Sequence, residues 1–165
     1  MDEVKVVDEQ RRNAILNRHV ELGTTQFIVI QLGDEQYGID IKYISNIIRM
    51  SKITRVPKVS DYIVGVINVR GVVIPTISLR LKMGLPGDEI TKKTRIIILT
   101  LEQHESIGVL VDEVKEVVTL DEEHVERMGY EKDERERFLS GVGKTEGRLI
   151  SLLDITSVLA DVVEA

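Results

Sequence analysis

The chain has 165 residues, 42% of them apolar, no cysteine and a net charge of -6. That length suits one domain or two small ones sharing a core, and the apolar share is too high for a disordered chain. The acidic balance opposes a nucleic-acid partner, which needs a basic face, and the missing cysteines exclude disulfides, zinc thiolate sites and a thiol nucleophile.

The opening residues Met1-Asp2-Glu3-Val4-Lys5 lack the basic and apolar regions of a signal peptide, and a reducing cytoplasm is the expected location. No apolar run approaches the roughly 20 residues of a membrane helix, so direct membrane insertion is not expected. Residues 1–23 are polar and charged and read as a mobile N-terminal tail. Residues 24–165 read as the folded body.

Phe27-Ile28-Val29-Ile30 reads as a buried strand, Gly33-Asp34-Glu35-Gln36 as a tight turn, and Tyr37 to Asp40 as the returning strand. Asp40 can cap a short helix, because Ile41, Ile44, Ile47 and Ile48 follow at helical spacing. Ile63 to Val69 and Val72 to Ile77 read as two strands joined at Arg70-Gly71. Ser78 can cap a second short helix with Leu79 and Met83 on its inner side. Arg95 to Leu101 is a further apolar strand. The charged stretch Asp121 to Arg137 reads as an exposed loop or short solvated helix, and Asp154 to Val163 as a closing helix.

The chain also repeats itself. Shifted by 70 residues, Phe27-Ile28-Val29 falls on Ile97-Ile98-Leu99, and Gly38 falls on Gly108. The same shift sets Ile39, Ile41, Ile44, Ile47 and Ile48 on Val109, Val111, Val114, Val117 and Val118. At a shift of 76, Gly65 falls on Gly141, Gly71 on Gly147, and the capping Ser78 on Asp154. Apolar matches are cheap, but ordered glycine and cap matches argue for a duplicated unit of about five short strands. A five-stranded antiparallel sheet without a covering helix tends to close into a small barrel, so the duplication points to two small barrels.

Catalytic chemistry finds no foothold. His19, His104 and His124 have no second ligand at metal-binding spacing, and the carboxylates sit in charge runs such as Asp121-Glu122-Glu123. Gly141-Val142-Gly143-Lys144-Thr145 contains Gly-Lys-Thr, but Phe138 stands where a phosphate loop needs its first glycine, and a strand follows instead of a helix. No metal or cofactor is expected. What remains is Gly65-Val66-Ile67-Asn68-Val69-Arg70-Gly71, which sets an Asn and an Arg at a hairpin tip within an apolar stretch. It reads either as an ordinary polar turn or as an Arg fork offered to a partner by a rigid scaffold.

Gly33-Asp34-Glu35-Gln36-Tyr37-Gly38-Ile39-Asp40-Ile41 and Gly65 to Pro75 resemble the most recognisable segments of the CheW family of bacterial chemotaxis coupling proteins. Gly108 to Asp112 and Leu149 to Ile155 are similar to it as well, and the likeness runs from about Thr25 to Leu159. The resemblance implies an all-β fold with a few short helices, made of two intertwined five-stranded SH3-like barrels. It implies a non-enzymatic adaptor with no cofactor. That adaptor would couple the cytoplasmic tips of chemoreceptors to the regulatory domain of the histidine kinase CheA, recruited through these partners to membrane-associated arrays. Carried over by position, Ile44, Asn46, Gly65, Asn68 and Arg70 would face the receptor or the kinase. Asn46 stands where many relatives have Glu, which weakens any Arg–Glu pairing there. Two alternatives stay open: the regulatory module of a larger signalling protein, and a small-ligand-binding or enzymatic barrel.

Overall fold

A computed structural model describes residues 3–5, 23–101, 105–128 and 136–163 of the chain. Twelve strands appear among them: β1 (Glu3–Lys5), β2 (Thr24–Leu32), β3 (Glu35–Asp40), β4 (Ile44–Arg49), β5 (Ile63–Val69) and β6 (Val72–Ser78). They continue with β7 (Arg95–Thr100), β8 (Ser106–Val111), β9 (Glu113–Asp121), β10 (Val125–Arg127), β11 (Leu139–Thr145) and β12 (Arg148–Leu153). Two α-helices, α1 (Leu79–Lys82) and α2 (Ile155–Val163), follow β6 and β12. Single 3₁₀ turns cover Ile41–Tyr43 and Glu122–His124. The fold is all-β with a few short helices, as expected.

The strands form two sheets. One runs β1-β4-β7-β8-β6-β5 and the other β10-β11-β12-β3-β2-β9. The chain divides accordingly into one unit of Met1–Val6 and Ile44–Val114, and a second of Val7–Tyr43 and Lys115–Ala165. The sequence repeat does not coincide with these units. Hairpin β2–β3 lies in the second sheet, whereas the rest of its repeat, β4, β5 and β6, lies in the first. Hairpin β7–β8 is likewise inserted between β4 and β6. Each sheet therefore takes its central hairpin from the other repeat, which is the sense in which the halves are intertwined.

Each sheet has six strands where the repeat predicts five. The extra strand of the first is β1, which pairs antiparallel with β4 through Glu3↔Ile48, Val4↔Ile47 and Lys5↔Asn46. These residues belong to the expected mobile tail, whose residues 6–22 lie outside the described residues. The extra strand of the second sheet is β10, from the charged insert, which pairs with β11. The insert reads from the sequence as an exposed loop or short solvated helix; Glu122–His124 is an exposed 3₁₀ turn, Val125–Arg127 instead adds a strand to the sheet, and residues 129–135 lie outside the described residues.

Both sheets curl around their own cores. In the first unit Ile48 of β4 and Ile67 of β5, from distant positions in the strand order, join Ile74, Ile96, Ile98 and Leu110 in one buried cluster. In the second unit Phe27, Val29, Leu120, Ile150 and Leu152 form the cluster, with Val125 of the edge strand β10 packed against it. Aliphatic residues dominate both, as the low aromatic content requires.

The helix expected across Ile41 to Ile48 is a correction. Asp40 does cap, accepting from the backbone N–H of Lys42 at 3.0 Å, but the helix is only the single 3₁₀ turn. Ile44 to Arg49 is strand β4. The β-branched Ile44, Ile47 and Ile48 suit a pleated sheet. A register irregularity between Ile44 and Asn46 shifts the alternation, and Ile47 and Ile48, which point to opposite faces of the strand, are both buried, so the buried residues fall at a helix-like spacing. The other caps hold. Ser78 accepts from the N–H of Leu81 and starts α1, and Asp154 accepts from the N–H of Ser157 at 3.2 Å and starts α2. Ser78 also donates its hydroxyl to the carboxylate of Asp88, tying down the loop that follows α1.

Candidate functional site

Hairpin β5–β6 positions most of the sequence-predicted site. Val69 pairs with Val72, so Arg70 and Gly71 form a two-residue loop. Both have positive φ, 52° and 84°, the signature of a type I′ turn whose twist matches that of the flanking strands. Gly71 adopts this conformation cheaply, but Arg70 carries a Cβ and does so at a cost. Asn68 helps to hold the turn, its side-chain oxygen accepting from the N–H of Gly71 at 2.9 Å. Asn68 and Arg70 are both exposed. The hairpin tip is a polar turn with Arg70 exposed on it.

Gly65 has a structural task beneath this tip. Its φ is 144°, and it sits where the β5–β6 register shifts. Thr54 lies across it, and Thr54 and Val66 exchange two backbone hydrogen bonds of 2.8 Å. A Cβ at Gly65 would run into the carbonyl of Thr54. The glycine therefore lets Thr54 cap the outer edge of β5.

Ile44 and Asn46 lie on β4, separated from β5 in the strand order by β7, β8 and β6. Ile44 is fully buried and Asn46 is half-buried. The five residues thus fall into two groups: Gly65, Asn68 and Arg70 on one hairpin, Ile44 and Asn46 on a strand that shares its core.

Sequence reasoning missed Val72 and Val73, which are 58% and 60% exposed beside the turn. Two consecutive exposed valines break the strand's alternation. The repeat carries a usable signal here. The counterpart of Val73 is Leu149, which is exposed as well. Its hairpin β11–β12 also turns through two residues of positive φ, Glu146 and Gly147. An apolar residue beside a charged, left-handed turn is thus a duplicated feature.

The other candidates find plain roles. Gly141 to Thr145 lie within β11, and a Cβ at Gly141 would come 2.6 Å from the carbonyl oxygen of Glu126 on β10, so that glycine serves strand pairing. His124 is exposed, its Nδ1 2.5 Å from the carboxylate of Asp121, which is held below the usual carboxylate range by that contact. His19 and His104 lie outside the described residues. Among the described residues no group of three or more His, Asp or Glu is placed to hold a metal, and no helix is long and apolar enough to cross a membrane.

Comparison with known proteins agrees with this architecture. The family model for the CheW-like domain matches residues 26–163. Chemotaxis protein CheW of Bacillus subtilis (strain 168) is 40% identical over 136 residues, covering 81% of this chain and 86% of that protein. Chemotaxis protein CheW of Helicobacter pylori is 33% identical, covering 81% of each. The crystal structure of the scaffolding protein TtCheW from Thermoanaerobacter tengcongensis superposes with a TM-score of 0.73 at 31% identity, covering 79% of this chain and 88% of that one. The chain belongs to the CheW-like family and is a non-catalytic scaffold or adaptor protein of chemotaxis.

Proposed function

We propose that this adaptor couples the cytoplasmic tips of chemoreceptors to the regulatory domain of the histidine kinase CheA, so that receptor state controls kinase activity. It would act in the cytoplasm, at receptor arrays that it reaches through its partners. The observation that carries this reading is the β5–β6 tip. Its type I′ turn presents Arg70 beside two exposed valines on a scaffold fixed by Gly65 and Asn68. Arginine is among the residue types enriched where interface energy concentrates. Ile44, being buried, bears on a partner through the strand that it anchors, and Asn46 through the half-exposed face of β4.

Specific interfaces bury about 1,200–2,000 Å² in total, and clustering of receptors supplies avidity to weak single contacts. The test is calorimetry of the chain with the regulatory domain of CheA and with a receptor-tip fragment. Saturable binding on the order of micromolar to at least one of them is expected, and Arg70→Glu weakens it without unfolding the chain. Silence with both partners, or an unchanged affinity in the variant, overturns the reading.

A further inference from the structure

The repeat that relates the two halves of the chain also relates two sheet edges. The shift of 70 residues that sets Ile47 and Ile48 on Val117 and Val118 carries β4 onto residues 114–119, within β9. The sheets keep this correspondence. On one side β4 neighbours β7, and β9 neighbours β2, the strand that the same shift sets on β7. The other edges of β4 and β9 are therefore counterparts.

These two edges are finished differently. β1 covers that of β4, and Ile47, in register with Val4, is only 7% exposed. β9 ends its sheet, and among the described residues no strand lies beyond it. Val117, the counterpart of Ile47, is 50% exposed, and Lys115 and Glu116 beside it are exposed as well. A sheet edge offers N–H and C=O groups to an added strand; main-chain pairing then supplies affinity and alternate side chains supply specificity.

The register on β4 says which strand fits. β1 pairs as Glu3↔Ile48, Val4↔Ile47 and Lys5↔Asn46. In the same register on the counterpart edge, Glu3 stands opposite Val118, Val4 opposite Val117 and Lys5 opposite Glu116. No like charges are opposed, and an aliphatic residue meets the exposed valine. The cation registered with a neutral amide on β4 is registered with a carboxylate on β9. Glu116 already pairs with Arg148, but its side chain remains 47% exposed.

We infer that the β9 edge accepts the strand Glu3–Lys5 of a second copy of this chain, in the register that sets Lys5 opposite Glu116. The exchange trades one three-residue antiparallel pairing for another, so main-chain bonds balance and the Lys5–Glu116 pair favours the second copy. Three residue pairs make a contact far smaller than a standard interface, so association is weak, at about 0.1–1 mM. The β9 edge holds none of the positions assigned to receptor or kinase.

Sedimentation of the full chain from about 10 µM to about 1 mM is expected to show concentration-dependent self-association. Lys5→Glu or Glu116→Lys alone sets like charges opposite each other and should weaken it about tenfold, and the two together should restore it to within about threefold. Glu116 is exposed and Arg148 keeps its bond to the side-chain oxygen of Gln36 at 3.1 Å, so the fold tolerates Glu116→Lys. Amide exchange within residues 115–119 should slow at the higher concentration, and deletion of residues 1–6 should abolish both effects. A chain that stays monomeric at about 1 mM overturns the inference, as does association that survives the deletion. A double variant no stronger than either single one overturns it too, and so do amides of residues 115–119 that exchange equally at both concentrations.

Discussion

Gly108 of β8 lies against Thr76 of β6 across the parallel pairing of these strands, so that a Cβ on Gly108 would come 2.7 Å from the Thr76 Oγ1. Its repeat counterpart Gly38 lies against Leu152 across the parallel pair β3–β12, at 2.9 Å from the Leu152 Cδ2. The repeated glycine marks the place where the exchanged hairpin meets the strand of the other repeat. Gly108→Ala is expected to destabilise by about 1–3 kcal/mol through overpacking against a short, fully buried side chain. Gly38→Ala should cost less, because the terminal methyl of Leu152 can move. Urea unfolding midpoints of the two variants check both the size and the order.

Gly65→Ala should be the most damaging of the glycine substitutions. It combines a left-handed backbone with a collision against the fixed carbonyl of Thr54. A loss on the order of 3 kcal/mol is expected, with faster amide exchange at Thr54 and Val66. If the variant keeps the parent's unfolding midpoint, Thr54 does not cap β5 as described.

Arg70→Gly separates fold from recognition. Glycine removes the strain of φ 52° but adds unfolded-chain entropy, and the two effects nearly cancel. Stability should stay within about 1 kcal/mol of the parent while partner binding falls. A thermal melt alongside calorimetry measures both.

Arg80 and Asp112 form a two-pronged ion pair of 2.8 and 2.7 Å, partly shielded from solvent, and Arg80 also donates to the Pro86 carbonyl at 3.2 Å. It links α1 to the residue following β8 and supports the loop beyond α1. Its partial burial places the expected coupling above that of an open surface pair, at about 1–2 kcal/mol in a double-mutant cycle of Arg80→Ala and Asp112→Ala. A coupling near zero would mean that solvent screens the pair.

Tyr37 gives the protein an alkaline limit. Burial and the neighbouring Glu35, which accepts from its hydroxyl at 2.9 Å, push the phenol up from 10.0 to about 12. The unfolded chain therefore loses this proton near pH 10 while the folded chain keeps it, so stability falls as pH rises from about 10 to 12. Tyr37→Phe should flatten that fall relative to the parent, at the cost of the hydrogen bond at neutral pH. Unfolding midpoints at pH 9 and pH 11.5 compare the slopes; equal slopes would refute the role of Tyr37.

The sequence by itself determined what neighbours along the chain control. The bounds of β5, the Arg70-Gly71 turn and the caps at Ser78 and Asp154 follow from local chemistry: alternation, a glycine tolerant of positive φ, and side-chain oxygens beside free N–H groups. The duplication was legible too, because its glycines and caps recur in order. Only the tertiary structure decided that Ile44 to Arg49 is a strand, since a bulge and burial on both faces give it a helix-like spacing. Only the tertiary structure decided that each sheet borrows a hairpin from the other repeat, and that β1 and β10 supply a sixth strand to each. Strand pairing joins residues far apart in the chain, and one backbone edge accepts many partners equally well. What selects among them is the fit of side chains, such as Thr76 and Leu152 filling the space left by Gly108 and Gly38.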